Sequence, residues 1–138
     1  MTSPADRISG APVRIFSIVN GLTLLGVLLQ AVWAGEFIYL PDKGIWLTLH
    51  EIGGFAVVVL ALVTAVLAGT GLRRASPALA IGALLQFVLI VVQTGLGEAI
   101  TKASSDGLIV IHVTLAMLIF GVGIYLSIAG AQLRRSLT

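Results

Sequence analysis

Cysteine is absent from the 138-residue chain. That excludes disulfides, thiolate metal sites, iron–sulfur clusters and haem attached covalently through a C-x-x-C-H motif. Any metal or cofactor must be held by histidine, carboxylate or carbonyl groups. Charge is scarce too. Asp, Glu, Lys and Arg make up 10% of the chain, against about 25% in a soluble domain. With 58% of residues hydrophobic, the remaining charges are too few to cover a water-facing surface, so the chain reads as an integral membrane protein. The net charge of +2 does not mark a nucleic-acid binder, because the basic residues flank apolar runs and form no stripe. No nucleic acid partner is expected. Histidine is the third scarce type: His50 and His112 are the only two.

A polar stretch at 1–11, with Pro4, Asp6, Arg7, Ser9 and Gly10, reads as a short tail. Four apolar runs follow, at about 13–34, 45–68, 77–97 and 107–130. Each has about 20 residues, enough to cross roughly 30 Å of hydrocarbon as helix. Gly69-Thr70-Gly71 and then Arg73 and Arg74 close the second run. Ser76-Pro77 opens the third with a cap and a first-turn proline, and Asp106 is the expected N-cap of the fourth. Short connections predict antiparallel neighbours. The first run also has the look of a secretory leader, with Arg7 and Arg14 before it and Val32-Trp33-Ala34 near its end. It is longer than a leader's apolar region, so a retained span is expected.

Arg7, Arg14, Arg73, Arg74, Arg134 and Arg135 lie at one end of this arrangement; the other end holds only Lys43 and Lys102. The positive-inside rule then predicts both termini in the cytoplasm and a bacterial-type cytoplasmic (inner) membrane as the location. The expected fold is all-α: an integral membrane four-helix bundle of two helical hairpins related as a parallel repeat, forming one domain over residues 1–138.

The repeat is visible in the text. Gly35-Glu36-Phe37-Ile38 precedes His50, and Gly97-Glu98-Ala99-Ile100 precedes His112, with eleven residues between in both cases. Both histidines fall about five residues into helices that run the same way, so both are expected at one depth, roughly 8 Å below the helix starts. An ionisable side chain inside a span is costly and marks a functional site by default.

Two imidazoles from facing helices suit bis-histidine ligation of haem b. Zinc would need three or four ligands. Room for haem is expected from Gly53, Gly54 and Ala116, with Ala31, Ala34, Gly35, Thr94 and Gly95 small or polar at similar depth. Gln30 and Gln93 are expected at the deeper edge, Trp46 and Thr48 at the rim, and Lys43 and Lys102 as the cations nearest the propionates. The plainer readings stand beside this one. A membrane histidine can serve only a helix–helix hydrogen bond, small residues can serve only close packing, and Trp33, Trp46 and Tyr39 fit an interfacial aromatic belt. Glu36 and Glu98 fit solvated helix ends, and Glu51, next to His50 but about 100° around the helix, fits the outer loops or a lysine partner.

Val92-Gln93-Thr94-Gly95-Leu96-Gly97 and Ile109-Val110-Ile111-His112-Val113-Thr114-Leu115-Ala116-Met117 resemble the third and fourth helices of one half of haem A synthase. Trp46-Leu47-Thr48-Leu49-His50-Glu51-Ile52-Gly53-Gly54 is similar to its second helix. The resemblance covers nearly the whole chain as one four-helix half, or as a small relative of that half. It implies that His50 and His112 are axial haem ligands. In the catalytic half of that family an acidic residue stands about one turn before the second-helix histidine; here that stretch is Leu47 and Thr48. The resemblance thus points to the half that holds haem b.

The leading expectation is a membrane b-type haem protein serving electron transfer, haem handling or support of a respiratory complex. Its expected partners are membrane lipid, a redox protein or quinone, and further copies of itself or a larger complex. One haem near one face implies a partner for any transfer across the bilayer. The alternatives are a haem-free accessory or assembly subunit and an oligomeric haem-modifying enzyme.

Overall fold

A computed structural model of the chain describes residues 10–103 and 106–137, with only the backbone of Ala103 and Asp106. The tail at 1–9, with Arg7, and the Asp106 side-chain cap lie outside the described residues. Four helices account for nearly all of the rest: α1 (Gly10–Tyr39), α2 (Gly44–Leu67), α3 (Pro77–Ala103) and α4 (Asp106–Ser136). A π-helical turn, Ala68–Leu72, extends α2. All four are long and apolar enough to cross a membrane, and the protein is a multi-pass membrane protein.

The helices outrun the apolar runs that predicted them. Nothing in Gly35–Tyr39 breaks a helix, so α1 continues until Pro41, whose ring disfavours helical backbone in the residue before it. α3 continues through an i,i+4 pair, Glu98 with Lys102 at 3.4 Å. α4 ends with Arg134 and Arg135 in its last turn, where cations favour the helix dipole. The glycines at 69 and 71 do not stop α2; the turn widens to π instead. Ser76 caps α3 as expected, its Oγ accepting from Leu79 N at 3.4 Å.

Packing runs around a ring. α1 touches α2, α2 touches α3, α3 touches α4, and α4 closes on α1. Among the described residues no Cα of α2 comes within 8 Å of α4, nor any of α1 within 8 Å of α3. These are the diagonals. Both described ends and the 73–76 connection share one end of the bundle, here called proximal; the 40–43 connection, the end of α3 and the start of α4 mark the distal end.

The interior is layered along the axis. Val13, Phe16, Ala68, Leu72, Leu79, Ala83 and Leu126 form a proximal apolar core. A polar layer of Asn20, Thr23, Thr64 and Gln86 follows, each fully buried. Asn20 Nδ2 donates to Gly123 O (3.0 Å) and Ser127 Oγ (2.8 Å), tying α1 to α4. Thr23 and Thr64 donate back to Val19 O and Leu60 O in their own helices. A second apolar layer of Val57, Ala61, Ile90 and Ile119 lies next. Beyond it packing loosens: no described residue within 24–56 or 91–118 is buried. The proximal part of the bundle is closed and the distal part is splayed.

Candidate functional site at the distal end of the bundle

The buried positions on each helix form one stripe, and the histidines continue it. On α2, Val57, Ala61 and Thr64 are buried, and His50 stands seven residues before Val57. On α4, Ile119 is buried and His112 stands seven residues before it. Seven residues turn a helix about 20° short of two full turns, so both imidazoles leave the interior face. Each is half-buried. They stand on diagonal helices whose backbones do not touch.

Each histidine is held by a glutamine on the preceding helix. Gln93 Nε2 donates to the His112 backbone carbonyl at 2.9 Å. In the amide orientation that satisfies its neighbours, Gln30 Nε2 donates to the His50 carbonyl at 2.8 Å and Gln30 Oε1 accepts from Gly54 N at 3.0 Å. The repeat seen in the sequence is thus also a repeat of contacts, glutamine amide to histidine carbonyl in both halves. Gln30 and Gln93, expected near the histidines, contact them through the backbone.

The imidazole nitrogens are differentiated. His50 Nδ1 lies 3.1 Å from the Gln30 backbone carbonyl. The Gln30 amide nitrogen is also near it, at 3.2 Å. A carbonyl can only accept, and the Gln30 amide already has the His50 carbonyl as its acceptor, so the tautomer with the proton on Nδ1 satisfies both groups. Nε2 then keeps its lone pair. This is the arrangement in which a backbone carbonyl orients a metal-ligating imidazole from behind. The two rings differ here: the buried Nδ1 of His112 has no partner at hydrogen-bond geometry. Phe37 packs edge-on to the His50 ring, with centroids 5.3 Å apart.

Other expected site residues are placed differently. Gly53 and Gly54 do not open a space between the histidines. A β-carbon on Gly53 would overlap the Trp33 ring, whereas one on Gly54 would make only ordinary contact with the Gln30 amide, at 3.5 Å. Gly53 is small because α1 lies against α2 there. Thr48 lies two residues from His50, nearly opposite on the helix; it is exposed and donates to Gly44 O at 2.9 Å, so it does not line the rim. Trp46, one turn before His50, is half-buried on the correct face. Ala116 is half-buried one turn after His112. Ala31, Gly35 and Gly95 are exposed, whereas Ala34 and Thr94 are half-buried. Lys102 is engaged by Glu98; Lys43 is exposed at the start of α2 with no described carboxylate partner. Glu51 and Glu98 are exposed and Glu36 is half-buried.

Three contributors were missed in the sequence. Phe37 packs on His50, Trp33 covers Gly53, and Gly97 sits against His112, whose Cε1 would be 3.4 Å from an added β-carbon. The signal for the first two was their spacing: Gln30, Trp33 and Phe37 fall at i, i+3 and i+7, one face of α1. Among the described residues no group of three or more His, Cys, Asp or Glu is placed to hold a bare metal ion. Two imidazoles are the donor set.

No family model matches this chain, and neither does any curated protein or solved structure. The likeness to haem A synthase stands on the quoted motifs alone.

Proposed function

We propose that the protein binds one haem b in the membrane, with His50 and His112 as axial ligands, and serves electron transfer or haem handling. The observation that carries the reading is the paired geometry of the histidines. They stand on non-touching diagonal helices, each seven residues before a buried position of its helix, on the interior stripe of the splayed end, and His50 Nδ1 lies 3.1 Å from the Gln30 carbonyl. The donor set fits: two neutral imidazoles complete a haem iron and fall short of a bare zinc site. Bound haem would supply reversible one-electron chemistry.

The chain's own residues would do the rest. The Gln30 carbonyl fixes the His50 tautomer and ring orientation. The Gln30 and Gln93 amides hold the helices at the height of the histidine carbonyls. Phe37 limits rotation of the His50 ring, and Lys43 supplies a cation at the rim. The arginine bias places both termini in the cytoplasm and the site toward the outer face of a bacterial-type inner membrane. A redox protein or quinone on that side, or a larger respiratory complex, would then be the partner.

The test is a reduced-minus-oxidised spectrum of detergent-purified protein expressed with ample haem precursor. A b-type band in the wild type, lost in both His50→Ala and His112→Ala, is expected. A wild type without a Soret band, or variants that keep the spectrum, would sink the reading. A haem-free accessory subunit is the second reading. It is favoured by an apolar groove between α3 and α4, lined by Val92, Leu96, Val110, Thr114 and Leu118, where a helix of a larger complex would fit.

A further inference from the structure

The proximal end carries a second feature, independent of the histidines. Between α2 and α3 runs an open groove of about 460 Å³, lined by Ala65, Gly69, Arg73, Pro77, Ala80 and Leu84. Small side chains make it deep. A β-carbon on Gly69 would meet nothing within 4 Å, so the floor there is open space. The π turn carries the wall from Gly69 to the arginine; such turns interrupt helices most often at functional positions. From Pro77 to Leu84 is seven residues, so the groove descends about 10 Å from the helix end into the span. Its walls are apolar except at the mouth, where Arg73 stands exposed.

Charge selects the occupant. Arg14, Arg73, Arg74, Arg134 and Arg135 are exposed at this end. Every carboxylate with a described side chain (Glu36, Asp42, Glu51 and Glu98) lies at or beside the distal end. Arg73 has no ion-pair partner among the described residues. An apolar trough entering the hydrocarbon with a guanidinium at its interfacial mouth matches a molecule with an acyl chain below and an anionic phosphodiester above. Guanidinium groups bind such phosphates through paired N–H donors.

We propose that this groove is a binding site for an anionic phospholipid, with one acyl chain between α2 and α3 and its phosphodiester on Arg73. The proposal does not depend on haem. Native mass spectrometry of the full-length protein, with phosphatidylglycerol or phosphatidylcholine added to the micelles, tests it. One phosphatidylglycerol should be retained in preference to phosphatidylcholine. Arg73→Gln should lower that retention about fivefold, the worth of one interfacial cation, and Arg74→Gln should leave it nearly unchanged. Filling the groove with Gly69→Leu, or from its exposed wall with Ile81→Trp, should abolish the preference while both arginines remain. Glycerol 3-phosphate should not compete. Equal retention of the two lipids, equal losses from Arg73→Gln and Arg74→Gln, competition by glycerol 3-phosphate, or a preference that survives Ile81→Trp would each overturn the proposal.

Discussion

Replacing Gly53 with alanine is expected to destabilise the protein, although alanine is the better helix former. The added β-carbon would overlap the Trp33 ring and stand 2.5 Å from the Gln30 side-chain amide. Neither neighbour yields easily: the indole is rigid, and the Gln30 amide is committed to the His50 carbonyl and Gly54 N–H. Overpacking of this kind costs about 1–3 kcal/mol, and the gain in helix propensity returns about 0.5–1 kcal/mol. The net loss should be about 1–2 kcal/mol. Gly95 and Gly121 are the controls, because a β-carbon at either meets nothing within 4 Å. Gly95→Ala and Gly121→Ala should be neutral or gain up to about 0.5–1 kcal/mol. Unfolding in mixed micelles with rising dodecyl sulfate fraction, followed by circular dichroism, ranks the three. A double-mutant cycle with Trp33→Leu assigns the cause, since the clash should couple the two positions by at least about 0.5 kcal/mol. The reasoning is refuted if Gly53→Ala is as stable as Gly95→Ala, or if its cost is unchanged in the Trp33→Leu background.

The polar layer makes a paired prediction. Asn20→Ala removes two interhelical hydrogen bonds and should cost about 1 kcal/mol at the roughly 0.6 kcal/mol typical of each in a membrane. Both amide atoms of the fully buried Gln86 lack a protein partner, so Gln86→Leu should be neutral or stabilising in the same titration; a loss beyond about 1 kcal/mol would mean that the amide is satisfied by an internal water. Lys102→Ala should change stability by less than about 0.5 kcal/mol, because the Glu98–Lys102 side chains are 68% and 78% exposed.

The four spans were legible in the sequence, because four apolar runs of about 20 residues are long enough to cross a bilayer as helix. Helix ends were read short because polarity was taken as a stop, whereas α1 runs on to Tyr39, close to Pro41, and α3 runs on to Ala103. The role of Gly53 was misread for a different reason. Smallness is the same letter whether it makes room for a ligand or for a neighbouring helix, and only the position of Trp33 on α1 decides between them. Asn20 and Gln86 went unnoticed as a pair because they meet through Gly123 on α4, a contact that no local spacing encodes.

The gradient of packing along the axis bears on the order of biogenesis. Every described residue that is buried lies on the proximal side of the histidine layer, so the four spans can insert, find their neighbours and lock their register without anything held at the splayed end. Topology would then be complete before loading, and a cofactor arriving later would enter at the distal face without reopening the proximal core. Such a chain would accumulate as a stable, inserted precursor when the cofactor is scarce, and its abundance would report translation more than supply.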